Sequence, residues 1–319
     1  MNVLYLTEAD VRSLLTMDLA LEAVESAFRK ISLDEAVNLP RQRCQTDHVM
    51  LHVLPAAAKT LWAIGFKVYT TGRFPATFHV HLFDPKHGGP TAILEADYLG
   101  QVRTGAASGA ATKKLARPDA KTFGLFGTGK QARTQLIAVC KVRRVRQVQV
   151  YSPSEERRKA FAAEMSEVCQ TDVIPVPRPE QAASEKDIVI TATSSREPVL
   201  VGHWLSQGTH LNAVGSNFLG KAELDPVAIR RCAAIVVDSK DQARLEAGDF
   251  QQSLEDGSLH WSDVRELGQV VIGRYTARKH AQDITLFKSL GIALEDVTVA
   301  GRVYAAAQAA GIGQVLENW

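Results

Sequence analysis

The sequence has few cysteines and no recognisable metal-ligand spacing. Its four cysteines, Cys44, Cys140, Cys169 and Cys232, lie far apart and form no CxxC or Cys–His pattern. That spacing predicts neither a disulfide framework nor a zinc site. We therefore expect no bound metal.

The sequence also lacks an excess of charge and a long apolar run. Lys and Arg number 37 and Asp and Glu 35, a net charge of +2 that excludes a nucleic-acid coat or a polybasic membrane surface. The longest stretch without a charged residue, 198–220, contains four Gly and two His and cannot be a membrane span. The first residues, MNVLYLTEAD, are acidic where a signal peptide is apolar. We expect a soluble, cytoplasmic protein without nucleic-acid or membrane partners.

The length of 319 residues predicts two domains. Residues 7–31 carry apolar side chains at helical spacing, and 49–94 contain extended segments rich in β-branched and aromatic residues. His79 and His81 alternate on one of these strands and so share a face. Residues 99–116 then form a helix of small side chains that ends at Pro118.

After Pro118 the pattern becomes a regular alternation of strands and helices. Apolar runs such as TFGLF, QVQVY, DIVIT and AIVVD are separated by helical or turn segments, which indicates a parallel sheet covered on both faces. The Ala-rich last helix, 295–310, falls outside this alternation. We therefore predict a discontinuous α+β domain made of 1–117 and 295–319, and a second domain of 118–294.

A glycine loop, Gly127-Thr128-Gly129-Lys130-Gln131-Ala132, directly follows the TFGLF strand and opens a helix. The first Gly allows the tight turn and the second lets the backbone approach a pyrophosphate, while the small third residue lets the helix pack closely. This context predicts a Rossmann-type doubly wound sheet that binds a dinucleotide. A glycine turn in another α/β fold is the alternative.

The end of the second strand of this domain indicates which dinucleotide is bound. An acidic residue there would bind the ribose 2′-hydroxyl of NAD, but the sequence has Ser152, followed by Ser154 and by Arg157 and Arg158. Hydroxyls and an arginine suit a 2′-phosphate. We predict a preference for NADP(H), with NAD(H) possible; the alternative is that both arginines only form a solvated helix face.

Four ordered motifs together resemble the ornithine cyclodeaminase/mu-crystallin family over nearly the whole chain. They are VRTGAAS at 102–108, GTGKQA at 127–132, NAVGSNFLGKAELD at 212–225, and ITLFKSLG at 284–291 with the trailing Asp296. The resemblance implies a homodimer formed through the first domain and a nicotinamide cofactor on the second. It also implies hydride transfer to or from the α-carbon of an amino or imino acid, a small substrate with a carboxylate.

The resemblance assigns roles to individual residues. Arg41 and Lys67 correspond to carboxylate-binding positions, which suits an Arg fork and a Lys point charge. With Asn217 and His52 they form the expected catalytic set. The expected cofactor-binding residues are Arg103, Thr104, Gly127, Thr128, Gly129, Lys130, Gln131, Ala132, Ser152, Ser154, Arg157, Thr191, Thr193, Val214, Gly215, Ser216, Lys221 and Ser289.

Two positions depart from the cyclodeaminase pattern. Asn217 stands where cyclodeaminases carry an Asp general acid/base, and an amide cannot exchange a proton near neutral pH. His52 stands where they carry a Glu that could meet the ornithine side-chain amine; alternatively it is only a packed strand residue. Both changes disfavour ornithine cyclisation.

We therefore expect an NAD(P)H-dependent oxidoreductase that reduces the C=N bond of an imino acid, such as the cyclic ketimines pyrroline- or piperideine-2-carboxylate. The alternatives are an ornithine cyclodeaminase, an alanine or opine-type dehydrogenase, and a crystallin-like binding protein without turnover. His79 or His81 could donate a proton if their face lines the site; we expect them to be sheet residues.

Overall fold

A computed structural model of the chain describes residues 2–59 and 63–317, which form two compact units. The first unit is Met1–Arg103 with Gly291–Trp319, and the second is Thr104–Leu290. The sequence placed the boundaries at 117/118 and 294/295. In the structure the first boundary falls between Arg103 and Thr104, inside one helix. Arg103 donates to the carboxylates of Glu295 and Asp296 in the first unit, whereas the carbonyl of Thr104 accepts from Gln135 in the second.

The first unit combines a mixed sheet with helices. Its strands are β1 (Val3–Leu6), β2 (Ala36–Asn38), β3 (Gln42–Gln45), β4 (Val49–Ala58), β5 (Ala63–Gly72), β6 (Phe78–Phe83), β7 (Pro90–Glu95) and β16 (Gln314–Leu316). Its helices are α1 (Glu8–Leu14), α2 (Met17–Ile31), the start of α3 (Asp97–Leu115) and α10 (Ala293–Ala310). The stretch 49–94, in which extended segments are predicted, includes residues 60–62, which lie outside the described residues.

The strands of the first unit follow the order β16-β1-β7-β6-β5-β4-β2, with β3 paired to β4. All of these pairs are antiparallel except β1 with β7. Leu54, Lys67 and Val80 are neighbours across β4, β5 and β6 and are buried on one face. Helix α10 packs on these strands, and α2 packs on α10.

The second unit is an alternation of strands and helices. Its strands are β8 (Thr122–Phe126), β9 (Gln147–Tyr151), β10 (Asp172–Pro175), β11 (Ile188–Thr191), β12 (His210–Ala213), β13 (Cys232–Val237), β14 (Val264–Glu266) and β15 (Ile284–Lys288). Its helices, besides most of α3, are α4 (Lys130–Val142), α5 (Glu155–Cys169), α6 (Pro226–Arg230), α7 (Lys240–Glu246), α8 (Gln251–Glu255) and α9 (Leu267–Val271). Short 3-10 helices cover Pro179–Ala182, Gly202–Trp204 and Gly248–Phe250.

The eight strands of the second unit form one parallel sheet in the order β10-β9-β8-β11-β12-β15-β13-β14. Alternate side chains of β8 enter two separate apolar clusters, Phe123 and Leu125 in one and Phe126 in the other, so both faces are covered. From β8 the chain adds β9 and β10 on one side and then β11 and β12 on the other, so the switch point lies between β8 and β11. In such sheets dinucleotides bind at the switch point. The predicted doubly wound α/β class is confirmed. Among the described residues, no helix has the length and apolarity to cross a bilayer.

Candidate functional site

A buried cluster of charged side chains lies on the inner face of the first unit. Lys67, on β5, donates from Nζ to Asp296 Oδ1 of α10 at 2.8 Å. Arg103, on α3, donates from Nε to the same oxygen at 3.0 Å and from Nη1 to Glu295 Oε2 at 2.8 Å. Gly100 leaves room for this cluster, because a Cβ there would lie 2.8 Å from Lys67 Nζ.

Arg41 completes the cluster from the segment before β3. It is 4% exposed, and its Nη2 donates to the carbonyl of Gly291 at 3.1 Å. Its positive charge acts on the amine of Lys67. Three cationic side chains therefore share a buried site with two carboxylates. An arginine fork beside a lysine is the arrangement that suits the carboxylate of a ligand.

The surroundings of the cluster shift the pKa values of Lys67 and Arg103 in opposite directions. Burial lowers the pKa of Lys67 below its ordinary value; Asp296 opposes this shift, and Arg103 adds to it. Burial alone would lower the pKa of Arg103, but Asp296 and Glu295 outweigh it and raise that pKa. Arg103 is thus a fixed charge, whereas the charge on Lys67 depends on its carboxylate neighbour.

His52 lies on the same sheet face as Lys67. Its ring stacks on Tyr69 with centroids 4.2 Å apart, and its Nε2 is 2.9 Å from Thr71 Oγ1. Burial, with the charges of Arg43 and Arg41, lowers the pKa of His52 to about 4. The imidazole is therefore neutral near pH 7, and within the described residues its Nδ1 has no hydrogen-bond partner.

His79 and His81 lie on the opposite face of the sheet. His81 stacks on Phe66 at 4.8 Å, while Val80 between them is the cross-strand neighbour of Lys67. Because side chains alternate along a strand, neither histidine reaches the Lys67 cluster. The hypothesis that one of them donates a proton there was wrong; both are sheet residues.

The glycine loop of the second unit has the geometry of a phosphate cradle. Gly127 has φ +106°, and a Cβ there would lie 2.4 Å from the carbonyl oxygen of Ala192, so only glycine fits. Gly129 is the N-cap of α4, with no side-chain cap and with open space where its Cβ would be. Backbone N–H groups of the first turn can thus donate to a pyrophosphate. These residues fit a dinucleotide.

The end of β9 carries the residues predicted to distinguish NADP from NAD. Ser152 is buried, and its carbonyl accepts from Nη1 of Arg158 at 3.1 Å. Ser154 caps α5 by accepting from the backbone N–H of Arg157, whose side chain is exposed. The strand therefore ends without a carboxylate, with two arginines close in sequence.

A buried carboxylate that the sequence analysis missed organises the ends of β11 and β12. Glu223 accepts from Thr191 Oγ1 at 2.8 Å, from the Thr193 N–H and Oγ1 at 2.7 and 2.8 Å, and from the Gly215 N–H at 2.7 Å. Asp249 accepts from the N–H of Glu223 at 2.6 Å and lies 2.8 Å from Nζ of Lys288. Burial raises the pKa of Glu223; Lys288 opposes this and Asp249 adds to it.

The predicted site residues thus fall into two groups. The first unit holds Arg41, His52, Lys67 and also Arg103, which was predicted as a cofactor ligand. The second unit holds the other predicted residues, and some of their hydroxyls are already bonded: Thr191 and Thr193 to Glu223, and Ser216 to the Lys221 carbonyl at 2.7 Å. Asn217 lies in the exposed loop that follows β12, beside Phe218 and Leu219.

The fold and these two groups define a dinucleotide-binding α/β protein with a buried anion-binding cluster. A sequence profile of the ornithine cyclodeaminase/mu-crystallin family matches residues 1–311, and the chain belongs to that family. The predicted family membership is confirmed.

Similar proteins include ones named as reductases and as an alanine dehydrogenase. A Bacillus cereus protein named Delta(1)-pyrroline-2-carboxylate reductase is 34% identical over 328 residues, covering 99% of this chain and 100% of the relative. The Thermococcus litoralis reductase of the same name, solved with NADH and L-proline, is 35% identical with a TM-score of 0.93, covering 98% of this chain and 99% of its own. An archaeal alanine dehydrogenase dimer with bound NAD is 34% identical with a TM-score of 0.94, covering all of both chains.

Proposed function

We propose that the protein is a nicotinamide-dependent oxidoreductase that reduces the C=N bond of an imino acid, with a cyclic ketimine such as pyrroline- or piperideine-2-carboxylate as substrate. The observation that carries this proposal is the buried cluster of Arg41, Lys67 and Arg103, in which an arginine and a lysine lie together away from solvent. Such a cluster fits the carboxylate of an imino acid. The two pyrroline-2-carboxylate reductases support the same reaction class.

In this proposal the first unit binds the substrate and the second binds the cofactor. Arg41 and Lys67 bind the substrate carboxylate and so fix the position of the adjacent carbon. When bound, the nicotinamide supplies the hydride. Asn217 hydrogen-bonds the imine nitrogen, with its amide oxygen accepting from the N–H of the protonated imine, or it hydrogen-bonds a water. An iminium carbon is already electrophilic, so orientation is the main contribution required of these side chains.

The same side chains disfavour ornithine cyclodeaminase activity. Asn217 has no titratable group, so it cannot act as the general acid or base that a cyclodeaminase has at this position. His52 is neutral and lies near Arg41 and Arg43, which makes it a poor partner for a substrate ammonium group.

We propose a preference for NADP(H) over NAD(H). The support is local: β9 ends at Ser152 rather than at a carboxylate, and Arg157 and Arg158 follow one turn later. The relatives solved with NADH and NAD are evidence for a nicotinamide cofactor in those proteins.

We further propose that the protein is a homodimer formed through the first unit. The sheet face opposite Lys67 keeps large apolar side chains accessible, with Leu51 37% and Ile64 39% exposed. Phe66 and Phe83 are partly accessible on the same face. Exposed large apolar side chains on one sheet face are typical of a subunit interface. Light scattering should give twice the mass of the chain, and a monomer would contradict the proposal.

The function is tested by oxidation of NADPH and NADH with pyrroline-2-carboxylate and piperideine-2-carboxylate, and by production of proline and ammonia from ornithine. We expect imine reduction and no ornithine turnover. Arg41→Ala and Lys67→Ala should each lower kcat/KM on the order of 10²-fold, because a buried carboxylate loses a charged partner. Cofactor affinity should be unchanged. Ornithine turnover comparable to imine reduction would contradict the assignment.

Alanine dehydrogenase activity is a second candidate, because the archaeal alanine dehydrogenase matches the whole chain. Its open-chain imine needs the same carboxylate clamp. Pyruvate with ammonia distinguishes the two: a higher kcat/KM for this pair than for both cyclic imines would favour the dehydrogenase.

A further inference from the structure

Helices α4 and α5 of the second unit pack side by side over the same apolar cluster. Arg133, in the first turn of α4, donates from Nε and Nη2 to the two carboxylate oxygens of Glu164 on α5, at 2.7 and 2.5 Å. The guanidinium of Arg133 also lies 5.3 Å from the centroid of the Phe161 ring on α5. These contacts fix the position of one helix against the other.

The segments that leave the two helices are also neighbours. Oγ1 of Thr171, after α5, donates to the carbonyl of Val145, after α4, at 3.3 Å. The strands that follow then pair in parallel, with Gln147 of β9 beside Asp172 of β10. The C-terminal ends of α4 and α5 are therefore held next to each other.

Two of the four cysteines lie between these two sets of contacts. Each is about two helical turns beyond a residue of the first set, Cys140 after Arg133 on α4 and Cys169 after Phe161 on α5. Both pack against the same apolar cluster, both are half-buried, and both are free thiols. The thiol of Cys140 donates a hydrogen bond to the sulfur of Cys169. The fold thus brings together two cysteines that no sequence pattern pairs.

The contact gives the two thiols different reactivity. The hydrogen bond from Cys140 lowers the pKa of Cys169, although burial opposes this shift. The same hydrogen bond, together with burial, raises the pKa of Cys140. Because the thiolate is the form that attacks an oxidant, Cys169 is the attacking sulfur and Cys140 is the thiol that resolves the product.

We propose that Cys140 and Cys169 form a reversible redox-modification site, which hydrogen peroxide converts from a dithiol to an intramolecular disulfide. The Cys169 thiolate attacks one peroxide oxygen and the O–O bond breaks, which leaves a sulfenic acid and releases hydroxide that takes up a proton. The sulfur of Cys140 then displaces the hydroxyl group, which leaves as a second water. Two thiols lose two electrons and two hydrogens, and the peroxide is reduced to two waters.

The local backbone can accommodate this bond. Cys169 is the last residue of α5, and Gln170 after it has φ +51°, so a small movement of Cys169 towards α4 leaves the body of the helix unchanged. The bond would close a loop that contains the whole of β9, which restricts the unfolded chain more than the folded one. The cofactor-binding ends of α4 and α5 are their opposite, N-terminal ends. We therefore expect higher stability and unchanged cofactor binding.

The test uses the full chain, first reduced and then treated with a small excess of hydrogen peroxide. The intact mass should fall by two hydrogens, and tryptic mapping should find the peptides of Cys140 and Cys169 joined. Dithiothreitol should restore all four thiols. The midpoint of thermal unfolding should be a few degrees higher in the oxidised form, with the dissociation constant for NADPH unchanged.

Two variants separate the pair from general oxidation. In Cys140→Ser the attacking thiol has no resolving partner, so peroxide should add oxygen to Cys169, and dimedone should trap the sulfenic acid. The control Cys44→Ser removes an exposed thiol outside the pair and should form the disulfide as the unmodified protein does.

Three results with the unmodified protein overturn the proposal: all four thiols survive peroxide, other cysteines become joined, or Cys169 becomes a sulfinic acid in place of the disulfide. A lower unfolding midpoint in the oxidised form also overturns it, because the two sulfurs would then not be positioned for a bond. None of these readouts requires turnover of an imino acid, so the result is independent of the proposed function.

Discussion

Asp296 is the residue that joins the two cations of the clamp, because Lys67 and Arg103 both donate to its Oδ1. Its other oxygen, Oδ2, has no hydrogen-bond partner in the described part of the chain. One carboxylate thus fixes the position of two cations and offsets the loss of charge that burial imposes on Lys67.

Asp296→Asn should therefore weaken the clamp. An amide cannot balance Lys67 and Arg103, so the pKa of Lys67 should fall further and less of the amine should be charged at neutral pH. We expect kcat/KM for a cyclic imine to fall on the order of 10²-fold, with the largest loss at high pH. Steady-state kinetics across pH measure this. The exposed control Asp47→Asn should behave as the unmodified protein; an equal loss of NADPH affinity would show that Asp296 acts on the cofactor instead.

Sequence patterns predicted the cationic half of the clamp but not its acidic half. Lys67 stands out because it interrupts an apolar strand, Arg103 belongs to a motif of the family, and the resemblance assigns Arg41 to a carboxylate-binding position. Asp296 follows the last family motif and Glu295 begins the predicted last helix, but no sequence pattern assigns either residue a role. Their role depends on α10 packing against β5, a contact 229 residues apart in sequence that no local pattern encodes.

At the scale of elements, we propose that the end of β9 determines which dinucleotide is accepted. Ser152→Asp would place a carboxylate where a ribose 2′-hydroxyl binds and where a 2′-phosphate would be repelled. We expect this change to reverse the preference from NADPH to NADH, measured as the ratio of the two kcat/KM values. A preference for NADH in the unmodified protein would contradict the assignment of Ser152.

The ends of β11 and β12 are held by Glu223, whose two oxygens accept from two hydroxyls and two backbone N–H groups. In Glu223→Gln one oxygen becomes an NH2 group that faces a donor, at a cost of about 1–3 kcal/mol. Because parallel strands bind dinucleotides at these ends, we expect NADPH affinity to fall about 10-fold, measured by fluorescence titration. The matched control is Glu266→Gln, since Glu266 lies on β14 and accepts from the backbone N–H of Lys240. If both variants lose stability but neither loses NADPH affinity, Glu223 serves only the fold.

The strand–helix alternation of the second unit could be predicted because apolar runs of four to six residues are separated by charged helices. The short outer strands could not. β2, β14 and β16 have three residues each, too few to show a period, and they form only because a longer strand offers them hydrogen bonds. The network of Glu223, Asp249 and Lys288 was missed for a similar reason: its members lie on three separate segments.

For the whole molecule, buried histidines make stability depend on pH. Burial, with the charge of Arg278, lowers the pKa of His210 to about 3, so the folded protein keeps this ring neutral. The unfolded chain binds a proton near pH 6.5, so stability is full above that pH and is lost as the pH falls towards the folded pKa.

Because of His210, the free energy of unfolding should be about 2 kcal/mol lower at pH 5 than at pH 7. Below pH 6.5 the loss is about 1.4 kcal/mol per pH unit. Denaturant unfolding at the two pH values measures the loss. In His210→Gln the loss between pH 7 and pH 5 should be smaller by about that amount, whatever the stability of the variant at pH 7. An unchanged pH dependence would show that other groups account for the acid sensitivity.

The discontinuity of the first unit has a consequence for protein synthesis. Lys67 and Arg103 leave the ribosome long before Glu295 and Asp296. Strand β1 is likewise made long before β16, the strand with which it pairs. The second unit is continuous from Thr104 to Leu290 and can fold during this interval. Until α10 has been made, the cations destined for the interior lack their carboxylates and must stay hydrated. The unit whose residues are translated first is thus the last to be completed.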